Sequence, residues 1–190
     1  MKLAGHFAAF DAAVDRRVDA VRSPTVDAVA YRLSSAADHS LLWHACGAAQ
    51  AVAHGGDLLR ATRLSLALGA ESALTNGAVK SLFGRIRPAE YTDLAFHHGL
   101  RRPITSSFPS GHATAAFCAA TLLGGGPGWY TAAAAVAATR VYVRLHHASD
   151  VVAGAAFGLA LGLIMRPFVN GRSSGRGNDH RADAVAHWRS

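Results

Sequence analysis

The chain has 190 residues, enough for one domain with its own core. Apolar residues make up 51% of it and charged residues 16%, short of the roughly 25% of soluble domains, which disfavours a wholly water-facing exterior and points to burial in a membrane. A net charge of +7 suits anionic partners: nucleic acid, anionic lipid or phosphate esters.

The mean hydropathy of +0.17 is modest, so the order of residues has to decide more than composition does. The cations are almost all arginine, with Lys2 and Lys80 the lysines. Arginine suits two-pronged contact with phosphate oxygens, although a GC-rich coding bias would raise Arg together with Ala and Gly.

At the N-terminus, Leu3, Phe7, Phe10, Val14, Val18 and Val21 recur at intervals of three and four, separated by Asp11, Asp15, Arg16, Arg17 and Asp19. This spacing predicts an amphipathic helix, packed on a core or lying in a membrane interface. The interrupting acids and arginines argue against a signal peptide. Ser23 and Pro24 restart the pattern as an N-cap and first turn, so residues 1–38 read as amphipathic or interfacial helices.

From residue 40 the character changes. Five stretches, 40–54, 64–79, 110–123, 129–139 and 151–165, carry almost no ionised group and read as helices of a membrane bundle over 40–169. Glu71 is the ionised residue within 64–79, with Thr75 and Asn76 at adjoining helical positions; they line a route to a site or tie helices together. Residues 124–128, "GGGPG", break the helix, and abundant small residues allow close helix approach in lipid. Cys46 and Cys118 lie in apolar stretches without metal spacing and read as buried free thiols. The tail, 170–190, is rich in Gly, Ser and Arg and reads as disordered. The predicted fold is all-α: an integral-membrane bundle of about five or six helices with an amphipathic N-terminal segment, in one domain.

Three polar clusters interrupt this apolar pattern. In "KSLFGRIRP", Lys80 ends one helix and Arg87 precedes Pro88. In "SSFPSGH", 106–112, Ser110, Gly111 and His112 open the next helix, where free amide groups favour an anion. In "TRVYVRLHHASD", 139–150, Arg140 and Arg144 are one turn apart, and His146 stands four residues before Asp150, within reach on a helical face. Each has a bland reading: helix-end cations, a simple N-cap, a capping aspartate. Tracing the helices up and down, however, lands all three clusters at the same end of the bundle. Lys80, Arg87 and Arg140 then form a cationic pocket fit for a phosphoryl group, with imidazoles and a carboxylate beside it.

Lys-x6-Arg-Pro (80–88), Pro-Ser-Gly-His (109–112) and Arg-x5-His-x3-Asp (140–150) together resemble the three-part signature of the type 2 phosphatidic acid phosphatase superfamily. One departure is Thr139, where the family usually has Ser. The resemblance implies a phosphatase in which His146 attacks phosphorus, Asp150 orients its imidazole, and His112 protonates the leaving oxygen and then activates water. Lys80, Arg87, Arg140, Ser110 and Gly111 would hold the phosphate. His147 would be a neighbour at the pocket rim, and Arg85, Arg101, Arg102, His97 and His98 face water or a lipid headgroup. No metal or other cofactor is implied; a metal held by His112, His146 and Asp150 is the competing reading. The implied partners are a lipid phosphate and membrane lipids, not nucleic acid. The short length and "SSAADHSLLW", 34–43, are similar to small actinobacterial members, some acting on decaprenyl-linked phosphates. A soluble acid phosphatase or vanadium haloperoxidase of the same superfamily is the alternative. Arg60, Arg63, Arg166 and the basic tail lie at the opposite end, which by the positive-inside rule puts the site on the extracytoplasmic face.

Overall fold

The computed structural model describes residues 2–53, 55–88 and 105–171. Its regular elements among these residues are all helices: α1 (Lys2–Ala20), α2 (Pro24–Ala36), α3 (Leu41–Ala53), α4 (Leu58–Ser72), α5 (Gly111–Leu122), α6 (Pro127–Tyr142) and α7 (Ala148–Asn170). Arg101, Arg102, His97, His98 and the tail from 172 lie outside the described residues.

The centre of the bundle is α5. Its sequence, GHATAAFCAATL, has no charged residue and is buried on nearly every face, as expected of a helix apolar all round. Against it lies α7, where Gly154, Gly158 and Gly162 put no side chain between the two backbones. A Cβ on Gly162 would come within 2.7 Å of Thr121, and one on Gly158 would strike the Thr114 backbone. Such spacing of small residues is how helices approach closely where lipid supplies no hydrophobic drive. Around this pair, Trp43, Leu68, Leu122 and Val136 from α3, α4, α5 and α6 fill the core. Of the two free cysteines, Cys118 is buried as expected, whereas Cys46 is only half-buried.

Local signals explain the ends. Ser23 caps α2 by accepting from the Val26 amide, and Ser110 caps α5 by accepting from Ala113. Beyond Ser72, α4 continues as a π-helical turn, Ala73–Val79, that the sequence pattern did not distinguish from α-helix. Such turns rotate the following side chains and concentrate at functional sites. Gly171 ends α7 at φ 72°, a conformation that favours glycine.

The N-terminal helix is turned opposite to a simple core-packing reading. Asp11 is buried, at 5% exposure, while Phe7 and Phe10 are exposed. The acids of α1 point inward: Asp11 accepts from the Ser149 amide at 2.8 Å, and Asp15 and Asp19 both pair with Arg144. Arg144, held at φ 58°, is thus an anchor for α1. Large apolar side chains also face outward along the bundle, among them Val52, Leu66, Val152, Leu163 and Ile164. Among the described residues, α7 alone is long and apolar enough to cross a bilayer by itself.

Candidate active site

The three clusters meet. Lys80, Arg87, Gly111, His112, Arg140 and His146 all border one cavity of about 590 Å³ at the end of the bundle where α5 and α7 begin and α6 finishes, within the range of small-molecule sites. Lys80 closes the π-turn; Arg87 follows it; His112 stands in the first turn of α5; Arg140 ends α6; His146 lies in the short α6–α7 connection.

His146 is the most constrained. It is 3% exposed. Its Nδ1 lies 2.7 Å from the Ser107 carbonyl oxygen, and its Nε2 lies 3.2 Å from Nη1 of Arg87. A carbonyl can only accept and a guanidinium can only donate, so Nδ1 carries the proton and Nε2 presents its lone pair. Burial first, then Arg87, Arg140 and Lys80, push this imidazole down to about 3 against the pull of Asp150, so it is neutral at physiological pH. A neutral ring whose unprotonated Nε2 lies beside three cations has the chemistry a nucleophile needs next to an anion site.

Asp150 is fully buried but borders the imidazole rather than the cavity. Its Oδ2 is 3.8 Å from His146 Nδ1 and accepts from the His147 amide at 2.9 Å. The orienting bond expected from Asp150 is therefore made by the Ser107 carbonyl, with Asp150 behind it. Ser107 lay inside the second motif but carried no signal, because its contribution is a backbone oxygen. His147 caps α7 and reaches the Ile86 carbonyl at 3.3 Å; it does not border the cavity, contrary to the rim position expected of it.

Arg87 gathers the loops. Nη1 donates to the Leu145 carbonyl at 2.7 Å and Nη2 to the Thr105 and Ser106 carbonyls at 3.2 Å each. Arg140 donates to Ser34, through both the hydroxyl and the carbonyl. Lys80 is brought down to about 8, by burial first and then by Arg87 and Arg140. Gly111 lies against the cavity side chains: a Cβ there would sit 2.9 Å from Asn76 Oδ1 and 3.4 Å from Lys80 Nζ and would displace the ends of both. Ser110 is buried, with its hydroxyl capping α5 and its amide donating to the Asp150 carbonyl at 3.1 Å. The Thr139 hydroxyl donates back to Val136 at 2.7 Å within α6.

Two partners were not legible in sequence. Arg85, expected to face water or a headgroup, instead bridges Asp150 and Asp11 at 2.7 Å each; the reason is that two buried carboxylates at one point require a shared cation. Asp38 accepts from His112 Nε2 at 2.8 Å and lies 3.8 Å from Arg140. Burial works against the Asp38 charge, yet the His112 bond and the neighbouring charges hold its carboxyl below the usual range. Glu71 and Asn76 also border the cavity, with Glu71 accepting from Thr75 at 2.9 Å.

The sequence pattern that describes the PAP2 superfamily matches residues 60–174, which include all three clusters. The chain belongs to the PAP2 superfamily. Among its relatives, a protein of Mycolicibacterium smegmatis named decaprenylphosphoryl-5-phosphoribose phosphatase is 35% identical over 137 residues, 69% of this chain and 72% of the relative. The protein of that name from Mycobacterium tuberculosis is 32% identical over 168 residues, 83% of this chain and 91% of the relative. A crystal structure of a transmembrane PAP2-type phosphatidylglycerolphosphate phosphatase from Bacillus subtilis superposes with a TM-score of 0.69 at 22% identity, covering 89% of each chain, and so shares the fold. As a PAP2 member with relatives named as phosphatases, the chain is a phosphatase.

Proposed function

We propose that this PAP2 protein is an integral-membrane enzyme that hydrolyses the phosphate ester or diphosphate of a lipid, through a phosphohistidine on His146 and without a metal. The observation that carries the reading is the unprotonated Nε2 of His146, 3.2 Å from Arg87 in a cavity shared with Lys80, Arg140 and a second imidazole. Nε2 attacks phosphorus while the bond to the leaving oxygen breaks, and His112 gives that oxygen its proton. Water then attacks the phosphohistidine, giving its proton to His112 and releasing phosphate. Lys80, Arg87, Arg140 and the Gly111 amide stabilise the equatorial oxygens; each oriented donor is worth about 3 kcal/mol of barrier. Ser110 and Asp150 contribute by holding Gly111 and His146.

The outward-facing Val52, Leu66, Val152 and Ile164 support a lipid surround over a soluble acid phosphatase or haloperoxidase. Within lipid phosphates, the names of the mycobacterial relatives favour a polyprenyl-linked phosphosugar. Arg60 and Arg166, at the end of the bundle remote from the cavity, favour a cytoplasmic position for that end and an extracytoplasmic active site.

The test is phosphate release from a panel: polyprenyl mono- and diphosphates, a polyprenyl phosphosugar phosphate, phosphatidic acid, phosphatidylglycerol phosphate and soluble sugar phosphates. Release from a polyprenyl-linked phosphate, abolished in His146→Ala with the fold intact, is the expected result. Full activity in that variant would overturn the nucleophile assignment.

A further inference from the structure

We propose that Asp38 is a positioning residue for His112, and that the α2–α3 connection is a fourth segment of the active site. This rests on the phosphatase reading above. The segment lies outside residues 60–174, which carry the family match, and supplies no part of the three-part signature.

Its placement is nonetheless specific. The turn Asp38–Ser40 joins α2 to α3, and Asp38, His39 and Ser40 all border the cavity. His39 and Ser40 adopt φ of 54° and 60°. Left-handed backbone at non-glycine residues is costly, and it persists where surrounding contacts over-determine it. Those contacts are the bond from His112 Nε2 to Asp38 at 2.8 Å and the grip of Arg140 on Ser34, one helical turn earlier.

The two imidazoles of the site differ in what accepts their ring proton. His146 gives its Nδ1 proton to a neutral carbonyl, whereas His112 gives its Nε2 proton to a carboxylate directly. A carbonyl fixes a tautomer, but a carboxylate also supports a positive ring through a charge-assisted bond. With Nε2–H committed to Asp38, Nδ1 of His112 is left to carry the proton that goes to the leaving oxygen. Lys80 and Arg140 share the cavity and oppose another cation there. Burial first and then Arg140 bring the His112 imidazole down to about 4 in the free protein; the Asp38 carboxylate offsets part of this, and an arriving phosphate adds to it, so the ring gains its proton as substrate binds. The partners thus sort the rings into a nucleophile, His146, and an acid, His112.

The experiment compares leaving groups in the full-length protein. An alkyl phosphate needs its leaving oxygen protonated, whereas p-nitrophenyl phosphate departs as a stable phenolate. Asp38→Asn should lower kcat/KM for a prenyl phosphate by about 30-fold or more, part of the roughly 100- to 10,000-fold that a general acid contributes, and for p-nitrophenyl phosphate by less than about threefold. Inhibition by inorganic vanadate should be retained or strengthened, because a negative charge has left the cavity. The protonation limb of the prenyl phosphate profile should move to lower pH. Equal losses on both substrates, no loss on either, or loss of vanadate inhibition would overturn the proposal. A wild-type protein inactive on every ester would sink the phosphatase reading itself; wild-type turnover with unchanged Asp38→Asn sinks this inference alone.

Discussion

Arg85 donates to the Asp150 carboxylate at 2.7 Å through Nη1 and to Asp11 at the same distance through Nη2, so one guanidinium joins the base of the His146 loop to the N-terminal helix. Asp150 is fully buried and Asp11 nearly so, while Arg85 is 31% exposed. Breaking a wholly buried pair costs roughly 3–5 kcal/mol, and partial solvation of Arg85 lowers this to about 2 kcal/mol. Arg85→Ala is therefore expected to lower thermal stability in detergent and cut kcat at least about tenfold, since Asp150 then borders His146 without its cation. Arg85→Lys, with one ammonium in place of a fork, should recover only part of both. Unchanged kcat in Arg85→Ala would dissociate the bridge from catalysis.

Lys80 sets an alkaline limit. With its ammonium brought down to about 8 in the free protein, its charge is complete below that pH and lost above it. kcat/KM should fall through about pH 8, while kcat, which reports the phosphate-bound state, should fall at higher pH because the bound anion favours the charged lysine. Lys80→Arg, whose charge persists, should flatten this limb. His146 titrates near 3 and contributes no limb between pH 5 and 8.

Much of the site was legible because its chemistry demands residue types at fixed spacing: Lys80 and Arg87, Ser110 and His112, and Arg140 and His146 are each close neighbours in sequence. The bundle was legible because its apolar stretches are uninterrupted. What was hidden is what acts across the chain. Arg85 meets partners 64 to 74 residues away, and Asp38 is 74 residues from His112, so no local pattern announces either. The Ser107 carbonyl is backbone and has no residue signature. The periodicity of α1 identified a helix but not which face it buries, because an acid bonded to the Ser149 amide is as well satisfied inside as in water.

Gly154 and Gly158 separate function from stability along one helix. A Cβ on Gly158 would strike the Thr114 backbone, so Gly158→Ala should destabilise by about 1–3 kcal/mol, read as a lower unfolding temperature. A Cβ on Gly154 would lie 2.5 Å from the Ser110 carbonyl, so Gly154→Ala should displace the start of α5 and lose kcat out of proportion to its loss of stability.

Excess chelator should leave activity intact, because Lys80, Arg87 and Arg140 already face the cavity and a divalent cation there would meet like charge. Inactivation by chelation, reversed by added zinc or magnesium, would favour a metal-assisted reaction instead.

The inward acids of α1 bear on how small a working version of this protein can be made. Residues 60–174 match the family pattern and hold every signature residue, although the likeness to the Mycobacterium tuberculosis relative spans 83% of the chain. Yet the Ser149 amide, Arg85 and Arg144 find acceptors on Asp11, Asp15 and Asp19, and Arg140 and His112 find theirs on Ser34 and Asp38. A truncation to residues 60–174 would remove all of these acceptors close to His146, leaving Arg85 its bonds to Asp150 and Ser149. The first forty residues are thus a molecular splint, and minimal versions should be inactive unless that segment is supplied in trans.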